Sequence, residues 1–314
     1  MKSLFNFYRA MTSPLKRIES HPQEARQLIG IDYAQFLSLV ALATERHLQK
    51  QTEIEQTSTR INAKGGGRKP GISIREGVCL CLVYLRQKPT FEILGLLFDI
   101  SRTKANDTFH YWIDILRDIL PASLMESVKG NEQKTEELCS ELKEYELIVD
   151  STEQPVARPV DYEEQLLHYS GKKKMHTLKN QFIVLPLGQD RVDITAGEFG
   201  KTSDITLFRQ TQSKFDRDQK FLGDKAYQGE ALAIVISKKK TKNGQLTAAQ
   251  KEVNKQLSRS RIGVEHLIGI CKIFRRRSEN FRWARHQYSK VFLTVCGLVR
   301  FRLNRLILRP FTTG

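Results

Sequence analysis

At 314 residues, 40% of them hydrophobic, the chain is too long for one small domain and has apolar content for two packed cores. No apolar run of about 18 residues occurs, and Met1-Lys-Ser-Leu-Phe-Asn-Phe-Tyr-Arg lacks the apolar centre of a secretory signal, so a soluble intracellular protein is expected, not a membrane-spanning or exported one. The formal charge is +16, and from Lys255 to Arg309 fourteen Lys or Arg stand against only Glu265 and Glu279, a local net of +12; a polyanionic partner is the reading this favours, a solvated basic face the plain alternative.

The first sixty residues read as helical, with Phe36, Leu39, Val40 and Ala43 at helical spacing. Lys64-Gly-Gly-Gly-Arg-Lys-Pro70 reads as a flexible basic joint. Ser73-Ile-Arg-Glu76 is a capping box that opens a helix carrying Val78, Leu80, Leu82, Val83 and Leu85 up to Lys88-Pro89. A second helix runs from Thr90 through Phe91, Leu94, Leu97 and Phe98. Ser101 caps a third, with Phe109, Trp112, Ile113 and Leu116 on its apolar side. Helix, tight turn and helix in this order match a helix-turn-helix, whose second helix would offer Arg102, Lys104 and Asn106 to a DNA groove. A small helical bundle without a ligand has the same pattern, and Asp99 occupies a turn position that glycine would fill more easily.

From residue 145 the period changes. Tyr145 to Val149, Met175 to Leu185 and Arg191 to Thr195 predict three strands, the start of an antiparallel sheet, and Phe221-Leu222 and Ala233 to Ile236 predict two shorter ones. Thr247-Ala-Ala-Gln250 is a capping box for a long helix with Val253, Leu257, Val264, Leu267, Ile268, Cys271 and Phe274 on its stripe. Gly263 and Gly269 within it cost about 1 kcal/mol each relative to Ala, which close packing on the sheet would justify. A last helix spans roughly 284–308. The five cysteines, Cys79, Cys81, Cys139, Cys271 and Cys296, are odd in number and include no C-x-x-C pair, so reduced core thiols are expected, with no zinc site.

Three acids stand out by context. Asp150 follows Leu147-Ile-Val149, Asp224 follows Phe221-Leu-Gly223, and Glu265 shares a helix face with Arg261 and Lys272. Singly, each has a plain role as a turn, cap or ion-pair residue. Brought together they would repel unless a divalent cation sat between them. Two Mg²⁺ held about 4 Å apart by such acids would activate the nucleophile and stabilise the leaving oxygen of a phosphodiester, with Mn²⁺ able to substitute. His176 on the second strand is a candidate phosphate contact or an ordinary strand histidine; Asp204 is a further acid that no apolar strand delivers.

These residues and their neighbours resemble the DDE transposases of bacterial insertion sequences, in the insertion-sequence-five group related to Harbinger-type transposases. The resemblance spans about residues 65 to 305. It is carried by Gly67-Arg-Lys-Pro70, Tyr84-Leu-Arg and Pro89-Thr-Phe-Glu92; by Val149-Asp-Ser-Thr152; by Tyr169-Ser-Gly-Lys-Lys-Lys-Met-His-Thr-Leu-Lys179 and Gly200-Lys-Thr-Ser-Asp204; and by Gly223-Asp-Lys-Ala-Tyr-Gln-Gly229 and Arg261-Ile-Gly-Val-Glu265 with Lys272. The family's signature places a tyrosine three residues before Arg261, where this chain has Ser258.

The resemblance implies an α/β protein: an N-terminal helical region over 1–64, an all-α helix-turn-helix domain over 65–140, and a ribonuclease-H-like catalytic domain over 141–314, a mixed sheet with flanking helices. Asp150 would lie on its first strand, Asp224 after the fourth and Glu265 on a following helix, all three catalytic and metal-binding. Lys225, Arg261, Lys272, Arg275, Arg276 and Arg277 would join Arg102, Lys104, Asn106 and His176 on DNA. The implied protein works in the bacterial cytoplasm, on the nucleoid when DNA-bound. It would bind terminal inverted repeats and target double-stranded DNA as a homodimer or larger assembly. A catalytically silent DNA-binding regulator and a nuclease without strand transfer are the two alternatives.

Overall fold

The structure is a computed structural model describing residues 13–57, 71–224, 227, 234–236, 247, 255, 262–271, 274 and 285–305. These form two compact units: residues up to 120, with 274 and 301–305, make one, and residues 121–271 with 285–300 make the other. The basic joint at 64–70 lies outside the described residues.

The first unit is all helical. Short helices α1 (Pro14–Ser20) and α2 (Ala25–Leu28) precede α3 (Tyr33–Thr57), which buries Phe36, Leu39, Val40 and Ala43, the four residues its periodicity selects. Helix α4 (Ile74–Gln87) is opened by the reciprocal Ser73–Glu76 capping box and closed by Lys88 in the left-handed conformation. Helix α5 (Phe91–Phe98) follows a Thr90 cap and ends at Asp99, and α6 (Arg102–Ile119) starts from a Ser101 cap.

Asp99 takes φ +54°, so an aspartate does fill the position that favours glycine. The glycine this turn needs lies at Gly95: a Cβ there would come within 2.6 Å of the Ile100 carbonyl oxygen, which explains how α6 can leave α5 so closely. Helix α6 then packs Phe109, Trp112, Ile113 and Leu116 inward, with Tyr84 and Phe91 stacked at 4.8 Å beside Phe109.

The second unit begins earlier than the strand pattern suggests. Residues 121–140, read from sequence with the helix-turn-helix, belong here, as helices α7 (Leu124–Ser127) and α8 (Glu132–Leu142). Both are capped, by Ser123 and Asn131, but their apolar residues are too sparse to announce them.

The sheet combines β1 (Leu147–Pro155), β2 (Tyr169–Ser170), β3 (Met175–Val184), β4 (Arg191–Phe199), β5 (Phe221–Gly223) and β6 (Ile234–Ile236). Strands β1, β3 and β4 form an antiparallel set; β5 runs parallel to β1 and β6 parallel to β5, giving the order β2-β3-β1-β5-β6 with β4 on β3. Helix α9 (Tyr162–His168) precedes β2, and α10 (Asp204–Gln212) follows β4.

One face packs Leu147, Val149, Ile183, Val192 and Phe221 against Phe208 of α10, Phe215 and Tyr227. The other meets α11 (Ile262–Cys271) and α12 (Arg285–Arg302): Phe182 packs on Phe292, and Arg191 donates to the Leu267 carbonyl and Cys271 Sγ.

Val264, Leu267, Ile268 and Cys271 of α11 are buried. Of its two glycines, Gly263 does pack closely, since a Cβ would lie 2.4 Å from the Leu187 carbonyl carbon, whereas Gly269 has nothing within 4 Å. Gly263→Ala is therefore expected to destabilise by about 1–3 kcal/mol through overpacking. Gly269→Ala should stabilise by about 1 kcal/mol. Urea melts of the two variants check both signs.

Cys79, Cys81, Cys271 and Cys296 are buried free thiols, and burial pushes the Cys79 and Cys81 thiols upward in pKa. Among the described residues no single helix is long and apolar enough to cross a membrane.

Candidate active site

Asp150 does not end its strand. Strand β1 continues to Pro155, because β3 pairs with it along its length, from Ile148 opposite Val184 to Pro155 opposite Thr177. What stops near Asp150 is the pairing on the other edge, where β5 meets only Leu147 and Ile148. Leu147 lies opposite Phe221 and Ile148 opposite Leu222, and Asp150 and Asp224 each stand two residues beyond the last of these pairs.

Both acids are half-buried, and both stand at the carboxyl end of the parallel pairing, where open α/β sheets hold their ligands. Asp224 follows β5, the fourth of the long-range strands once the two-residue β2 is set aside.

By strand alternation Asp150, opposite Phe182, belongs to the face covered by α11 and α12. Glu265 lies on α11, exposed, with Arg191 tying that helix to the same face through Leu267 and Cys271. The three acids nevertheless do not close into one cluster: among the described residues no group of three or more His, Cys, Asp or Glu could hold a metal ion. Carboxylate oxygens are the ligand type that a divalent cation takes, and the described residues do not gather the three acids into one such site.

Two buried tyrosines hold this region, and the sequence reading picked out neither. Tyr227 shares its hydroxyl with Ser151 Oγ at 2.8 Å and accepts from Gln181 Nε2 at 3.4 Å, and its backbone N–H donates to the Asp224 carbonyl at 3.1 Å. It therefore links the residue after one acid to the segment after the other. Burial, with Asp204 and Asp150 nearby, raises its pKa, so the phenol stays protonated and able to donate.

Tyr288 of α12 accepts from Asn180 Nδ2 at 2.7 Å and donates to Gln154 Oε1 at 3.1 Å, fastening that helix to β1 and β3. An aromatic with a polar tip near a motif is the only sequence signal for either residue. Tyr227→Phe is expected to cost about 0.5–1.5 kcal/mol of stability and to disturb the spacing of the acids. A chemical-denaturation curve checks the first expectation.

The remaining candidates fall as follows. Asp204, without a strand to deliver it, opens α10 and pairs with buried Lys179 at 2.8 Å. His176 is half-buried, with its ring against Tyr169 at 5.9 Å, and burial together with Arg158 and His168 lowers its pKa. Its neighbours Met175 and Thr177 line a cavity, and strand alternation turns His176 away from it.

In the helical unit Arg102 and Lys104 are exposed on the first turn of α6 and Asn106 is half-buried. The Arg102–Glu92 ion pair, 3.0 Å and exposed on both sides, is weak enough to exchange for another anion. Lys225, Arg261, Lys272, Arg275, Arg276 and Arg277 lie outside the described residues.

Comparison with known proteins follows the same division. Residues 149–300 match the family model described as DDE superfamily endonuclease, and residues 71–122 match the helix-turn-helix of DDE superfamily endonuclease. Over 243 residues the chain is 30% identical to the probable transposase for insertion sequence element IS702 of Microchaete diplosiphon, covering 76% of this chain and 84% of that protein. No solved structure matches. The helix-turn-helix, the mixed sheet that follows it and this relationship over three quarters of the chain's length agree: the chain belongs to the DDE transposases of insertion sequences.

Proposed function

We propose that the protein cuts DNA at the terminal inverted repeats of its own element and joins the freed 3′ ends to target DNA. The observation that carries this reading is that Asp150 and Asp224 each follow, by two residues, the last paired positions of the parallel β1–β5 ladder, at its carboxyl end. Supporting it, Glu265 rides on a helix packed against the same face. Asp150, Asp224 and Glu265 would hold two Mg²⁺, with Mn²⁺ substituting; when bound, such ions supply an activated oxygen nucleophile and stabilise the leaving oxygen.

The chain's own residues do the rest. Tyr227 and Ser151 keep the two strand ends at a fixed spacing, and Tyr288 fixes α12 over the face that Asp150 shares. Arg102, Lys104 and Asn106 of α6 would enter a DNA groove, while Lys225, Arg261, Lys272 and Arg275 to Arg277 grip phosphates, with His176 as a further contact. Replacing Lys104 with Ala is expected to weaken DNA binding evenly across sequences and to lower the salt slope of log K by about 1, read from anisotropy titrations at several salt concentrations. Binding would be by a homodimer or larger assembly, in the bacterial cytoplasm on the nucleoid.

The test is incubation with the DNA flanking its own gene, in Mg²⁺ and in EDTA, scoring nicks and joined products. Metal-dependent nicking followed by joining supports the reading; nicking in EDTA, or no product with either Mg²⁺ or Mn²⁺, overturns it. That the described residues gather no group of three possible metal ligands favours one second reading, a DNA-binding regulator without catalysis, which predicts binding and no product. Nicks without joined products would assign a nuclease.

A further inference from the structure

Beyond Asp150 the outer edge of β1 has left β5 behind, and a cavity of about 450 Å³ opens there, within the range that small-molecule and cofactor sites occupy. It begins at Ser151, the residue next to Asp150, and runs along β1 to Pro155. Its chemistry is divided. Lys172 and Lys173, both exposed, stand on the turn between β2 and β3, a turn shaped by the Ser170 hydroxyl accepting from the Lys173 N–H and by Lys174 at positive φ.

The remaining lining includes acceptors: Glu153, whose Oε2 takes a hydrogen bond from buried Thr177 at 2.8 Å, and Asp204, neutralised from behind by Lys179. Met175, 43% exposed, supplies a soft apolar wall. Cations for a phosphate, a thioether for a ring face, and carboxylate oxygens with lone pairs to spare for N–H donors together describe a nucleotide, not a simple anion, which Glu153 and Asp204 would repel.

We propose that this pocket receives one unpaired nucleotide of the DNA strand lying at Asp150 and Asp224, its phosphate on Lys172 and Lys173 and its base amino group on Glu153. The inference rests on the strand-cleavage reading for the identity of the strand. The lining itself selects the nucleotide class. Because Glu153 only accepts, it favours bases with an exocyclic amino group over thymine, whose one donor, the ring N3–H, lies between two carbonyl oxygens that a carboxylate repels.

The test uses fluorescein-labelled twelve-residue oligodeoxycytidylate and oligodeoxythymidylate, titrated with the full-length protein in Ca²⁺ and followed by anisotropy. The cytidine strand is expected to bind about 10-fold more tightly. Glu153→Gln should abolish that preference while leaving thymidine-strand affinity unchanged, and Lys172→Ala with Lys173→Ala should weaken both strands about 10-fold. Equal binding of the two strands by the native protein, or a preference that survives Glu153→Gln, overturns the proposal; a thermal melt of Glu153→Gln matching the native protein shows that the fold is intact. The outcomes separate from those of the cleavage assay. A base preference sensitive to Glu153 without any DNA cleavage keeps the pocket and sinks the strand-cleavage reading, and Asp150-dependent cleavage with no base preference does the reverse.

Discussion

Asp150→Asn and Asp224→Asn are each expected to lower DNA cleavage and joining by at least about 10³-fold, the scale of loss when a group acting chiefly in the transition state is removed, while DNA affinity changes little. An amide keeps the shape and neutral hydrogen-bonding capacity of the carboxyl but loses the charge that holds a divalent cation. Asp150 Oδ1 accepts from the Ser151 N–H at 2.9 Å, a contact that the amide oxygen of Asn reproduces, so β1 should fold unchanged.

If both acids hold the same cation, the two variants should fail to a similar degree. Glu265→Gln provides the contrast. If Glu265 joins the pair in the working complex, it fails as they do; if it stays on the exposed face of α11, its cleavage rate stays near the native one. Quantitative nicking assays alongside anisotropy on the same DNA decide each point. Retained cleavage by Asp150→Asn would remove that residue from the site.

The second large effect is structural. Arg300, 2% exposed, clasps the Asp190 carboxylate through Nε at 3.0 Å and Nη2 at 2.8 Å, and its Nη1 donates to the carbonyls of Pro121 and Ser123 and to Ser127 Oγ. One guanidinium thereby joins α12, the turn before β4, and the segment that leads into α7.

Asp190→Ala strands that charge in the interior and should destabilise the unit by about 3–5 kcal/mol. For a unit of this size each kcal/mol moves Tm by roughly 2–4 °C, so a fall of about 6–20 °C is expected in a thermal melt. Replacing both partners, Asp190→Leu with Arg300→Met, should recover much of the loss, because two apolar side chains leave no buried charge. A double variant no more stable than Asp190→Ala alone would show that the backbone contacts of Arg300, not the ion pair, carry the effect.

Local signals were legible where they act locally. The Ser73–Glu76 box, the Ser101 cap and the spacing of Phe36, Leu39, Val40 and Ala43 produce helices where their patterns predict, because capping and amphipathic burial depend on neighbours within a turn or two. The five strand predictions fall on strands for a similar reason, and the acids behind two apolar runs are recognisable because buried strand ends rarely carry charge. Helices α7, α8 and α9 went unread, since their apolar residues are few and partly exposed, and so did the extension of β1 through Ser151-Thr-Glu-Gln154, a polar run that is strand only because β3 pairs with it.

By itself, then, the order of residues determined most of the longer helical and sheet segments, the caps at Ser73 and Ser101, the separation of an all-helical part from a mixed one, and the identity of the acids worth watching. Tertiary structure alone decided that β1 and β5 run parallel with both acids just beyond their pairing, that Tyr227 and Tyr288 brace the strands, and that Arg300 finds Asp190 110 residues away. The reason is range. Helix and strand preferences are settled among residues a few positions apart, whereas register, the side on which a helix docks and the partner of a buried charge depend on segments that meet only after the chain has closed on itself.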